Sequence, residues 1–296
     1  MDNPALAEAQ DRKSRLQQLV KQATEVSTLP TVLPKIMEVV NDPGAGAGDL
    51  KAIVECDPPL TSRVLKTVNS AHFGLRTSTS NLQNAISLLG FTTVRNLALT
   101  ASVSDMFKKD FEIDSYSRLG LWKHMVAVGL CARLIARHVG AARFEDAYLG
   151  GLLHDIGIVL FDENDHDSFR KAVERVQPDR ELRVCEREVV GFDHAELGAA
   201  LAKNWQFPDL TIECIRWHHA GDRCGRQSRV IRLITSAVEL ANFLCQQKGI
   251  GSVRVKYKPQ LRSTLLGDLN LGRDDIRTLW EDLDKELANA KDLYEV

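Results

Sequence analysis

The sequence predicts an all-α protein built as two helical lobes. Three observations predict it: apolar residues recur at helical spacing along most of the 296 residues, Pro and Gly punctuate those stripes, and the strict alternation of half-buried strands is scarce. The length suffices for about two domains with their own cores. The expected division is a leading helix over 1–28, a helical subdomain over 29–110, a second over 115–249 and a helical extension over 250–296. No βα alternation appears on either side, so no sheet-based signalling domain is expected in the chain.

LAEAQDRKSRLQQLVKQATEV is the leading amphipathic helix, and LPTVLPKIMEVVNDPGAGAGD restarts after Pro30 and stops at Pro43. DLKAIVECDPPLTSRVLKTVNSAHFG is a helix pair broken at Pro58 and Pro59, with Asp49 and Asp57 as expected N-caps. NLQNAISLLGFTTVRNLALTASVSDMF carries a helical stripe interrupted at Gly90. The polar stretch KKDFEIDSYSRLG then separates the lobes. LWKHMVAVGLCARLIARHVG follows, FEDAYLGGLLHDIGIVLF is expected as one helix, and DHAELGAALAKNW, DLTIECIRWHHAG and SRVIRLITSAVELANFLCQQ come next. GDLNLGRDDIRTLWEDLDKELANAKDLYEV is expected as a final charged helix.

The 38 basic and 40 acidic residues give a net charge of -2, so no whole-protein field recruits nucleic acid or an anionic membrane. No basic recognition helix stands out, and nucleic acid is an unlikely partner. No signal-peptide core and no run approaching a membrane span are visible, so the protein is expected in the cytoplasm. Six cysteines without a CxxC pair fit reduced, mostly buried thiols; Cys214 and Cys224 flank a His pair but out of ligand phase.

Chemistry concentrates in the second lobe. His124 shares a stripe with Val128, Cys131 and Ile135; His194 shares a face with Leu197 and Leu201; His219 stands one turn after Ile215 and Asn242 one turn after Val238. A further helix contributes His154 and Asp155. Singly, each inward His fits a hydrogen-bonded core residue. Together, His124, His154, Asp155, His194, His218, His219 and Asn242 form a ligand set without thiolate, suited to one or two ions of zinc, iron or manganese. His72, His138 and His166 lack that context and are expected at the surface or in structural roles. Arg216, Arg223, Arg226, Arg229 and Arg232 surround the His pair, the last four at three-residue intervals, and are candidates to bind phosphate or an acidic surface. Against that stands an ordinary solvated charged face. Asn69 and Ser70 look like turn and cap chemistry that fixes the first lobe against the second, and a cleft between the lobes is where a ligand or partner is expected.

The order His124, His154-Asp155, His194, His218-His219 resembles the HD superfamily of metal-dependent phosphohydrolases, and more closely the expanded pattern of the HD-GYP phosphodiesterases. LPTVLPKIMEVV, ECDPPLTSRVLKTVNSAHFG, NAISLLGFTTVRNLAL and GFDHAELGAALAKNWQFPDLTIECIRWHH resemble the HDOD family, the HD-related output domain of bacterial signalling proteins, across about residues 29 to 245. The resemblance implies that the second lobe is an HD-like helical bundle. Three departures stand beside it. Asn242 replaces the final Asp, Ile158 replaces the lysine of the HDxGK form, and HHAGDRCGRQSRV has no GYP element. A neutral amide compensates divalent charge less than a carboxylate does.

The resemblance and its departures together imply a regulatory module of signal transduction, acting through protein contacts or nucleotide or metal sensing, without robust catalysis. Its partner would be a separate polypeptide such as a sensor kinase or another regulator. The competing expectation is a phosphohydrolase acting on a nucleotide or cyclic dinucleotide, with Asp155 orienting the attacking water.

Overall fold

A computed structural model describes residues 4–25, 32–42, 44–108, 111–224, 228–251 and 258–294. In its first part α1 (Pro4–Glu25) precedes α2 (Val32–Asn41), α3 (Ala47–Glu55), α4 (Pro58–Val68), α5 (Leu82–Leu89) and α6 (Phe91–Val103). Asp57 caps α4 as expected, its carboxylate accepting the Leu60 N–H at 3.0 Å. Asp49 does not cap α3. It sits at the third position, and its carboxylate reaches back to the N–H of Gly46, the actual N-cap, because the chain has already turned helical at Ala47. Gly90, with φ +86°, divides α5 from α6 in a conformation that other residues rarely adopt.

The polar connector folds into a short antiparallel hairpin, β1 (Glu112–Ile113) with β2 (Tyr116–Ser117), the one sheet among the described residues. Its turn places Asp114 at φ 48°. Ser117 then caps α7 (Arg118–His138). By length and composition α7 could cross a membrane, contrary to the sequence reading: an 18-residue window has mean hydropathy 1.4. But 78% of that window is buried, because α7 is the central core helix with α8 (Phe144–Leu153), α14 (Arg229–Gln247) and α16 (Arg273–Asn289) packed around it. One face, with Trp122 and Met125, joins an apolar cluster that runs back into α2–α6. The other, with Val128, Cys131 and Ile135, joins a cluster shared with α14 and α16.

The remaining elements are α9 (Ile156–Asn164), α10 (His166–Glu174), α11 (Leu182–Val190), α12 (His194–Asn204), α13 (Asp209–Trp217) and α15 (Leu265–Asp268). Two expected single helices are each two. The first breaks between α8 and α9 at His154-Asp155; the last breaks between α15 and α16, where Asn270 takes φ 53° before Gly272 caps α16. The leading helix α1 lies on α9 and α12, held by Arg12–Glu196 at 2.5 Å and Arg15–Asp165 at 2.9 Å.

Asn69 works within the first lobe rather than between lobes. Its amide bonds both the carbonyl and the N–H of Thr79, at 2.9 and 2.8 Å, closing the segment between α4 and α5. Polar contacts between lobes come from α6, where Asn96 donates to the Glu145 carbonyl at 2.9 Å and Thr100 meets the Tyr148 hydroxyl at 3.0 Å, and from Asn41, which donates to the Gln206 carbonyl at 2.7 Å, and His72, which meets Arg133 at 3.0 Å.

Candidate metal centre

Glycines decide where the centre forms. A Cβ on Gly157 would lie 2.0 Å from the His194 carbonyl oxygen, so the start of α9 meets the start of α12 backbone to backbone. A Cβ on Gly151 would lie 2.7 Å from the Val128 carbonyl, and one on Gly150 would lie 2.8 Å from Cys214 Sγ. The small residues around His154-Asp155 therefore let α7, α12 and α13 approach the α8–α9 break.

Asp155 stands at the middle of four imidazoles. Its Oδ2 lies 3.6 Å from His124 Nε2 and 3.3 Å from His154 Nε2; its Oδ1 lies 3.4 Å from both His194 Nε2 and His218 Nε2. Potential ligand atoms form two groups, Asp155 with His194, His218 and His219, and Asp155 with His124 and His154, each within 4.8 Å. The far nitrogens are all occupied: Nδ1 of His124, His154 and His218 donates to the carbonyls of Ile250, Gly151 and Ile215, each at 2.7 Å. That fixes the tautomer and aims each Nε2 lone pair inward.

The Nε2 atoms of His124, His154 and His218 are buried without a hydrogen-bond partner. Unpartnered buried nitrogens converging on one carboxylate fit a divalent cation: the donor set supplies what the ion needs, and the ion supplies what the nitrogens lack. All six His and Asp residues expected as ligands thus come together. Asn242, on α14, lines the same cavity as Asp155, but its Oδ1 accepts the Gln246 amide at 2.8 Å.

Burial lowers His124 and His218 to about 4, reinforced by neighbouring imidazoles. Burial would likewise lower His194, but the Glu186 carboxylate at 2.7 Å outweighs it and raises His194 to about 9. His219 is held well below its usual value by burial and by His218 and His194. At the 2.9 Å contact of their Nε2 atoms, His194 is therefore the donor and His219 the acceptor. Burial would push Asp155 up, yet the imidazoles around it, His154 foremost, hold it well below the usual carboxylate range.

Glu186 was missed by sequence reasoning although a signal existed. It falls on the apolar stripe Leu182, Cys185, Val189 of α11, where a charged residue needs a buried partner. The arginine expectation fares differently. The basic residues lining the roughly 940 Å³ cavity over the centre are Arg183, Lys258 and Arg262, and Arg216, Arg223 and Arg229 are not among them. α14 starts at Arg229 and carries it, with Arg232, to another cavity, and Arg226 lies outside the described residues. Both cavities are lined by residues from His138 onward, whereas the expected cleft between the lobes is present as a small apolar pocket where Leu33, Val103 and Met106 meet Leu153, Ile156 and Trp205. Cys214 and Cys224 pack on Thr235, each Sγ 3.8 Å from its hydroxyl, and stand outside both ligand groups. His72, His138 and His166 are paired with Arg133, Asp275 and Asp162 respectively.

The sequence matches the family model of the HDOD domain over residues 26–221. An uncharacterized protein of Treponema pallidum (strain Nichols) is 29% identical over 198 residues, 66% of this chain but 38% of its own length. The chain thus spans less than half of the curated relative it matches. An HDOD domain protein with unknown function from Geobacter sulfurreducens is similar at 24% identity and TM-score 0.76, covering 96% of this chain and 99% of that one. A candidate signal transduction protein of Marinobacter aquaeolei VT8 is similar at 22% identity and TM-score 0.75, covering 99% and 67%. A candidate phosphohydrolase of Shewanella amazonensis SB2B is similar at 23% identity and TM-score 0.69, covering 93% and 97%. At these identities the likeness concerns the fold. An all-α scaffold with a His/Asp cluster at a helix break defines an HD-like helical protein. More specifically, the chain belongs to the HDOD domain family.

Proposed function

We propose that this chain is a regulatory module of a bacterial signalling pathway whose HD-like centre holds a divalent metal without robust catalysis. The observation that carries the reading is the convergence of histidine Nε2 atoms on Asp155 with every far nitrogen pinned, beside a cavity wall where Asn242 offers only a neutral amide. His124, His154, Asp155, His194, His218 and His219 would hold iron, manganese or zinc. When bound, the ion supplies fixed positive charge and Lewis acidity. Asp155 is the one carboxylate in either ligand group, so a second divalent ion meets little compensating charge. Ile158 lines the cavity where a lysine would offer a substrate phosphate a point charge. The module would act in the cytoplasm on a separate protein, a sensor kinase or another regulator, with a nucleotide as a candidate ligand.

A second reading, hydrolysis of a nucleotide or cyclic dinucleotide, is favoured by the cavity itself, which opens on Asp155 and carries Arg183 and Lys258 in its lining. One experiment separates the two: metal analysis of protein purified without chelators, combined with phosphodiesterase assays in manganese and in iron. Bound metal without turnover is expected. Turnover abolished by Asp155→Ala would overturn the regulatory reading, and protein free of metal would overturn the centre.

A further inference from the structure

A second cavity, of about 830 Å³, lies beside the first and shares only Arg262 with it. One wall is the opening of α14, which presents Arg229, Arg232 and Ser236 on a single face at i, i+3 and i+7. Both arginines are exposed, and among the described residues neither has a carboxylate partner. Ser236 is 3% exposed, and its hydroxyl makes no hydrogen bond among the described residues. A serine hydroxyl on the cavity wall, beneath two guanidinium groups that have no carboxylate partner, is a set of donors matched to an oxyanion.

The lining sets three arginines, Arg229, Arg232 and Arg262, against three aspartates, Asp222, Asp268 and Asp275, but two of those carboxylates are already engaged. Asp268 is taken up by Arg262 at 2.6 Å, and Asp275 by His138 at 2.9 Å and by the Gly272 N–H at 2.8 Å. Arg262 is itself spent on Glu239, Thr264 and Asp268. Of the lining carboxylates, only exposed Asp222 stands against Arg229 and Arg232, and the N-terminal end of the 19-residue α14 adds partial positive charge.

We propose that this cavity is a binding site for a small phosphorylated ligand, with Arg229 and Arg232 gripping the phosphate and Ser236 donating to it. Guanidinium pairs match tetrahedral oxyanions through forked hydrogen bonds. The volume exceeds that of a lone phosphate and suits an ester carrying an organic group. The site does not depend on the metal centre, whose ligand residues it does not share.

The test is calorimetric titration in chloride buffer with inorganic phosphate, pyrophosphate and AMP. Wild-type protein is expected to bind at least one saturably. R229Q/R232Q should weaken that binding about tenfold or more and Ser236→Ala should weaken it severalfold, both with melting temperature unchanged. Arg183→Ala/Lys258→Ala, which removes the two basic side chains that belong to the other cavity alone, should leave it intact. Tighter binding of AMP than of phosphate marks an ester site; preference for the inorganic ions marks a free-oxyanion site. No saturable binding of any probe, unchanged affinity in R229Q/R232Q, or loss of binding in Arg183→Ala/Lys258→Ala overturns the proposal.

Discussion

Glu186 holds His194 twice, accepting from the ring Nδ1 at 2.7 Å and from the backbone N–H at 2.9 Å through the same oxygen. One fully buried carboxylate therefore fixes both the first residue of α12 and the direction of its imidazole. Glu186→Gln keeps an oxygen for the backbone N–H but loses the charge behind the ring. Divalent affinity is expected to fall by about 10- to 100-fold, the usual cost of an altered outer-shell partner. Competition against a chromophoric chelator reads it, and equal affinity in the two proteins would remove Glu186 from the centre.

Gly157→Ala is expected to cost about 3 kcal/mol or more, because the new methyl meets the His194 carbonyl backbone and not a side chain that can turn away. Gly48→Ala is the control. A Cβ there meets nothing within 4 Å in helix α3, and a gain of about 0.5 kcal/mol is expected from the stiffer unfolded chain. Urea unfolding of both variants checks the contrast, and equal effects would mean that the α9–α12 contact relaxes freely.

These two residues also show how far the sequence could be read. Helical stripes made the fold class legible, and the order of His and Asp residues made the ligand set legible, since periodicity and motif spacing are local properties. The break at His154-Asp155 was not legible. Nothing in FEDAYLGGLLHDIGIVLF lacks helix propensity badly enough to stop a helix, and the stop is imposed by packing of Gly157 on α12. The arginine stripe was misplaced for a related reason: three-residue spacing says which residues share a face, while the direction of that face depends on the start of α14 at Arg229.

Asn242 bears on how much metal the centre retains. Its Oδ1 is occupied by the Gln246 amide, and Asn242→Asp adds an anionic oxygen to the wall beside Asp155. Metal bound per chain is expected to rise, measured by elemental analysis after dialysis against manganese. An unchanged content would mean that position 242 does not reach the ions.

His72 sets a pH dependence away from the centre. Burial, with Arg133 beside it, lowers its pKa below 6.5, against a smaller opposing pull from Glu286. Its Nε2 accepts from Arg133 at 3.0 Å, which requires a neutral ring. The unfolded chain takes up the proton first as pH falls, so this contribution is full above 6.5 and is lost below it. Between about pH 7.5 and 5, His72→Gln should therefore lose less stability than wild type in urea titrations. Parallel losses would assign the acid sensitivity to other groups.

Arg262 anchors the residues that follow Lys258 onto α14. Its Nε and Nη2 donate to Glu239 at 3.0 Å, and the same Glu239 accepts the Gly221 N–H at 3.1 Å. Glu239 is 9% exposed, so removing the guanidinium leaves a nearly buried carboxylate with one backbone donor. Losing one member of such a pair costs about 3 kcal/mol, because desolvation persists after the attraction has gone. Glu239→Gln/Arg262→Ala should recover part of that loss, since no charge remains buried. A double-mutant cycle by chemical denaturation tests the point: a double variant as unstable as the summed singles would mean that the two residues act independently, and that the wall between the two cavities is held by packing instead.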